Sequence, residues 1–245
     1  MPTVDNVKAD VVTNLLAGNS CATLETVINK AGMYAGFYGK KKIEMDDIVQ
    51  AFLDVKYGVG REQEKLSKEV EDIGVHEAGH AVVAEILLPE SVNLAVLKRM
   101  NMRWGARGFV SRVNDKIDLE PFKKSEYDIM IGLAGKAATE VLSGSVDMGC
   151  NHDLYRVYDE AAKLVDNVCA YGFDTFVRHD SGKELKDKKD YQISKLVEAY
   201  YKKVVKLLEN NKEFLAEMTK ELIEKRVLVR TDIDRIKERV VINNV

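Results

Sequence analysis

Apolar residues recur along most of this chain at steps of three and four, with one region where they gather into short runs instead. Leu24, Val27, Ile28, Ala31 and Ala35 predict a helix, Gly39 and the run Lys40-Lys41-Lys42 break it, and Ile48, Ala51, Phe52 and Val55 predict another. A small N-terminal helical bundle follows. Val70, Ile73, Ala78, Ala81, Val82 and Ile86 predict a further helix, with Ser67 placed to cap its start and Pro89 to end it. Residues 92–97 and 107–112, rich in β-branched or aromatic side chains around a glycine-containing break, read as one or two short strands. Leu154, Val157, Ala161, Leu164, Val165 and Val168 then restore helical spacing, which puts Asp153 near a helix N-terminus. The C-terminal third carries two amphipathic patterns, one from Ile193 to Leu208 and one from Leu215 to Leu222. Thr231-Asp-Ile-Asp234 has the form of a capping box opening a last short helix through Ile236. The polar residues 178–190 read as a surface loop that carries a solvated His179.

Composition narrows the classes. With 245 residues and 46% apolar content the chain can bury a substantial core, as one large domain or two smaller ones. A net charge of −3 gives no overall basic field and argues against nucleic acid as the main partner. Cys21, Cys150 and Cys169 are odd in number and lack Cys-x-x-Cys spacing, so neither a disulfide framework nor a thiolate zinc knuckle is expected, and a reducing, cytoplasmic setting fits best. No run of 18 apolar residues appears and Met1-Pro2-Thr3-Val4-Asp5 is unlike a signal peptide, so the chain is expected neither to span a membrane nor to be secreted. A phosphate-cradling Gly-x-x-x-x-Gly-Lys-Ser/Thr loop is missing at both Gly39-Lys40 and Gly135-Lys136.

Against that background one pentapeptide, His76-Glu77-Ala78-Gly79-His80, carries the chemistry. Residues i and i+4 of a helix lie one above the other, about 6 Å apart, so two imidazoles can grip one metal ion. Glu77 projects beside that ion, where a carboxylate can take a proton from water held on zinc. Ala78 and Gly79 are small enough for a neighbouring element to pack closely against this part of the helix. The bland alternative is a hydrogen-bonded pair of core histidines, but the motif sits mid-helix, as the chemistry requires.

Catalytic zinc usually takes three protein ligands and keeps one position for water. The remaining histidines are His152 and His179, and His152-Asp153 is the natural place to look for the third. Spacing alone does not choose between His152 and Asp153, since Asp153 is equally suited to cap its helix. Glu85, Glu140 and Asp147 compete as carboxylates, and Cys150 as a thiolate whose duller reading is a small, partly buried side chain. Trp104 suits a pocket, an interface or the core.

These segments together resemble the FtsH family of AAA+ zinc metalloproteases. Residues 132–140, Gly-Leu-Ala-Gly-Lys-Ala-Ala-Thr-Glu, are similar to the family's Gly-Gly-Arg-Ala-Ala-Glu-Glu helix, and residues 144–154 to the stretch ending in Asn-Asp-Leu. The resemblance implies that Asp153 is the third zinc ligand, with His152 standing where the family often has asparagine, and that Glu140 is a supporting residue. Ala134, Lys136 and Thr139 depart from the family's Gly, Arg and Glu, and Met148 and Cys150 alter the turn before Asp153. Residues 23–48 resemble the lid subdomain that joins ATPase core to protease in the family. The implied organisation is a lid-like helical bundle over residues 1–58 and a mainly α zinc-peptidase domain over 59–245, with the short strands beside the active-site helix. No ATPase core or membrane anchor is among these residues, so the chain is expected to be either the lid and protease of a longer enzyme or a stand-alone relative. In the resembling family a strand beside the catalytic helix pairs with an extended substrate backbone, and residues 108–110, Gly-Phe-Val, occupy the corresponding place; such pairing would make cleavage tolerant of sequence, and the alternative is an ordinary small sheet.

Three functions are therefore in view. The first is a zinc endopeptidase for unfolded or extended polypeptides, with His76, His80 and Asp153 on Zn²⁺ and Glu77 as base. The second is a non-catalytic lid and scaffold module that assembles with AAA+ ATPase subunits or other partners, and the third a small-molecule metal hydrolase. The presence of Glu77 favours the first, because a structural zinc needs no such carboxylate. The resemblance also implies a homohexameric ring whose active sites face a shared chamber.

Overall fold

The structure, a computed structural model, describes residues 3, 7, 9–60, 65–99, 107–113, 120–173 and 182–244. Trp104 and His179 lie outside the described residues. The centre of the molecule is helix α4 (Lys68–Leu87), reached through α1 (Ala9–Leu15), α2 (Cys21–Phe37) and α3 (Met45–Tyr57). It starts where the Ser67 hydroxyl accepts the Val70 N–H at 3.3 Å and ends just before Pro89. Buried residues lie on every side of it, from Val70 and Val75 to Val83 and Leu87, as befits a helix enclosed by its neighbours.

Strands β1 (Val92–Val96) and β2 (Phe109–Arg112) follow, then α5 (Pro121–Ser143) and α6 (Asn151–Ala162), whose end winds into a π turn at Lys163–Asn167. The chain finishes with α7 (Lys183–Asn210), α8 (Lys212–Lys225), β3 (Val227–Val229) and α9 (Arg230–Lys237). The strands form one antiparallel sheet in the order β2-β1-β3. The expected mainly helical fold with short strands beside the motif helix is the one observed, and β3 is an addition that three consecutive apolar residues at a helix end did not announce.

Both faces of β1 are buried, and they belong to different cores. Leu94 and Val96 join Leu15, Val27, Ile48 and Phe52 of the N-terminal bundle, whereas Val92, Ala95 and Leu97 join the core around α4, α5 and α8. An extra residue at Asn93, where the register with β2 shifts, turns Val92 to the side of Ala95 instead of Leu94. The Asn93 amide donates to the Asn14 carbonyl at 2.9 Å, tying the bulge to the bundle.

On the other side of α4, small residues let α5 approach closely. A Cβ on Gly79 would stand 2.4 Å from the Ala138 Cβ and 2.5 Å from the Ala134 carbonyl oxygen, so the motif helix meets backbone there, as its sequence suggests. At the far end of α4, Glu85 is fully buried and ties the C-terminus of the fold to the centre. It accepts from Arg230 at 2.5 Å, Lys237 at 2.9 Å and the Val92 N–H at 2.9 Å.

Two expectations from the sequence are corrected. Residues 183–190, read as part of a surface loop, are the first turns of α7. They lack apolar periodicity because that end is largely exposed, but Lys and Glu are good helix formers and no Gly or Pro follows Gly182. The last helix starts at Arg230 rather than after a Thr231 cap. Asp232 accepts the Val229 N–H at 3.2 Å, and Asp234 pairs with Arg230.

Candidate metal centre

His76, Glu77 and His80 occupy the middle of α4, and α6 brings Asp153 against them from its first turn. The Nε2 atoms of His76 and His80 are 3.0 Å apart, and Asp153 Oδ2 lies 3.1 Å from the first and 3.4 Å from the second. A tetrahedral ion with bonds of roughly 2.0–2.1 Å separates its ligands by about 3.3 Å, so these three atoms outline one face of such a site. They are the one group of three metal-donor side chains among the described residues.

The surroundings fit a cation. His80 Nδ1 faces the Ile131 carbonyl at 2.7 Å, which fixes the N–H there and turns the Nε2 lone pair inward. Two inward lone pairs 3.0 Å apart repel unless a cation or proton sits between them. Burial alone would lower the pKa of His76, yet its hydrogen bonds to Asp147 and Asp153 outweigh burial and push it up to about 10. Burial raises Asp153 in turn, but the two histidines hold its carboxyl well below the usual carboxylate range. The same field that draws a proton onto this cluster favours a divalent ion. Two neutral imidazoles and one carboxylate, with a corner left over, are the donor set of a catalytic rather than a structural zinc.

Glu77 is 8% exposed, and its carboxyl lies against the backbone just before β2. A Cβ on Gly108 would stand 2.6 Å from the Glu77 Cγ and 2.7 Å from its Oε1, so only glycine lets the strand's backbone lie against this carboxyl. Burial pushes the Glu77 pKa up, and the charges of His80 and His76 draw it partly back.

Several rival ligands are placed elsewhere. Asp147 Oδ2 lies 2.6 Å from Nδ1 of His76, on the outer side of the ring from the three-donor cluster. Cys150 is buried at the N-cap of α6, its thiol donating to the Asp147 carbonyl at 3.2 Å, and neither it nor the exposed His152 belongs to the cluster. Glu140 is not among the three donors, and its carboxylate accepts from the Tyr201 hydroxyl at 2.5 Å. Glu85 is held in its ion cluster. One residue has a part in the site that its sequence context did not announce. Gly135 lies under the ring of His76, where a Cβ would come within 2.4 Å of Cε1. A glycine inside a helical pattern is the signal that could have found it, since it usually has a packing reason.

No family model matches the chain. It is 29% identical to the "ATP-dependent zinc metalloprotease FtsH" of Lachnoclostridium phytofermentans, over 96% of this chain and 41% of that protein. The protein of the same name from Sulfurovum sp. is 30% identical over 68% of this chain and 25% of its own length. The "ATP-dependent zinc metalloprotease FtsH 3" of Petrotoga mobilis is 27% identical over 96% and 40%. The chain thus spans about two fifths of the length of relatives it matches nearly end to end. It is a distant homologue, over part of their length, of the FtsH-type zinc metalloproteases.

Proposed function

We propose that this chain is a zinc-dependent endopeptidase acting on unfolded or extended polypeptides. The observation that carries the reading is the triangle of His76, His80 and Asp153 donor atoms with a buried carboxyl, Glu77, between it and a sheet edge. His76, His80 and Asp153 would hold the ion. A bound zinc supplies Lewis acidity, polarising the scissile carbonyl and acidifying the attacking water. Glu77 takes the proton from that water and hands it to the departing amine nitrogen. Burial raises its pKa, which strengthens it as a proton acceptor. Strand β2 is an edge of the sheet and begins beside Glu77, so an extended substrate adding to that edge would lay its backbone across the site. Main-chain pairing of this kind selects for extended conformation and little for sequence, which favours a polypeptide over a small molecule.

Residues 1–58 are read as a lid-like helical subdomain and 59–245 as the peptidase domain. This reading draws on the chain's length relative to proteins described as ATP-dependent, and on the separate core of the N-terminal helices. In the same reading the chain works as a homo-oligomer, a hexameric ring by family likeness, beside an AAA+ ATPase motor. Among the described residues no helix is long and apolar enough to cross a membrane, and the three cysteines are free, which fits a cytoplasmic setting. The test is hydrolysis of fluorescent casein by the parent and by Glu77→Gln at equal zinc content. A loss of at least about 100-fold in kcat is expected from removing the base. Activity surviving in the variant would reject Glu77, and a zinc-loaded parent without activity would favour a scaffold that assembles with ATPase subunits.

A further inference from the structure

Asp147 is nine-tenths buried and uses its two oxygens for two different tasks. Oδ2 lies 2.6 Å from Nδ1 of His76, and Oδ1 accepts the Gly149 N–H at 2.7 Å. The Asp147 carbonyl accepts the Cys150 thiol, so the loop from 147 to 150 is braced from within just before α6 begins. Six residues on, the same segment delivers Asp153 to the Nε2 side of the same ring. His76 is therefore held between two carboxylates of one short segment, one on each ring nitrogen.

We infer that Asp147 is the positioning residue of the metal centre. Its carboxylate fixes the N–H of His76 on Nδ1, aims Nε2 at the ion and raises the ring's strength as a ligand. His80 receives the corresponding orientation from the neutral Ile131 carbonyl, so a charged partner backs His76 alone of the two imidazoles. The inference rests on the zinc reading above and adds to it a residue outside the ligand set. The contact that orders the 147–149 turn and the partner of His76 are the same side chain, so the shape of that turn and the aim of His76 are set together.

Asp147→Asn separates the two tasks. An asparagine can still accept the Gly149 N–H with its one carbonyl oxygen, but then turns its amide N–H toward the N–H of His76. Zinc affinity would be measured by competition with a chromophoric chelator, and Co²⁺ substituted for zinc would report ligand geometry through its visible absorption. The dissociation constant for zinc is expected to rise by about 10–100-fold in Asp147→Asn, with a shift of the cobalt bands, and at least as far in Asp147→Ala. Circular dichroism of the zinc-free proteins checks that the fold is kept. A zinc-binding parent whose affinity and cobalt spectrum are matched by a folded Asp147→Asn would reduce Asp147 to a turn-former and overturn the inference alone. A parent that binds no zinc would overturn both the inference and the metal centre.

Discussion

Replacing Gly135 by alanine tests the metal centre at a residue that touches no ion. The new Cβ would lie 2.4 Å from Cε1, 2.5 Å from Nδ1 and 2.6 Å from Nε2 of His76. An ordinary contact there is about 3.5 Å, so the ring or helix α5 must retreat by about 1 Å. The ring cannot turn aside cheaply, because Asp147 holds Nδ1 and Asp153 with His80 surrounds Nε2. Metal–ligand distances tolerate only about 0.2 Å, so a shift of that size removes His76 as a ligand. Loss of an outer orienting contact already costs about 10–100-fold in metal affinity, so loss of the ligand itself should exceed about 100-fold, or about 2.7 kcal/mol. In chelator the zinc-free fold should persist, because alanine favours a helix over glycine by about 1 kcal/mol and offsets part of the clash. Gly36, with nothing within 4 Å of a built Cβ, is the control: Gly36→Ala should leave zinc affinity unchanged. Chelator competition gives the affinity and urea unfolding in chelator gives the stability. A Gly135→Ala protein that binds zinc within about threefold of the parent would refute the packing argument.

Two further outcomes follow from the geometry. Glu85→Gln leaves Lys237 facing a neutral group and Arg230 with Asp234 as its remaining carboxylate, and should cost about 1–3 kcal/mol in denaturant unfolding at pH 7. Burial raises the pKa of Glu85, but Arg230 and Lys237 bring it below its ordinary value in the fold. Its stabilisation is therefore complete above the unfolded pKa of about 4.3 and is lost as pH falls through the lower folded value. A Glu85→Gln variant that keeps the parent's stability and acid-unfolding profile would show that the cluster contributes nothing. Gly108→Ala places a Cβ 2.7 Å from Glu77 Oε1 and should lower kcat on casein about 10-fold or more, with bound zinc unchanged. Equal kcat would separate the strand from the base.

The identity of the metal-binding helix was legible because the information is local. His76 and His80 share a face through helical geometry, Glu77 follows from adjacency, and Ser67 and Pro89 mark the ends of α4. The helical bundle before it and the strands after it were legible for the same reason, since periodicity over ten or so residues reports which side faces a core. Spacing left His152 and Asp153 open, and resemblance implied the second. The folded geometry separates them, because the rotation of α6 turns Asp153 inward and leaves His152 exposed.

Other features depend on residues distant in sequence and carry no local mark. Asp147 resembled a rival ligand until folding put it on the outer nitrogen of His76, and the bond from Tyr201 to Glu140 joins residues 61 positions apart. Strand β3 exists because β1 offers it an edge, and the bulge at Asn93 decides which core each β1 side chain joins. The amino-acid sequence by itself determined the donor types, their helical spacing and the elements that carry them. Tertiary packing alone decided which carboxylate completes the triangle, which one braces it, and where glycine must leave room. Those choices turn on ångström-scale approach between α4, α5 and α6, a distance that no periodicity along the chain encodes.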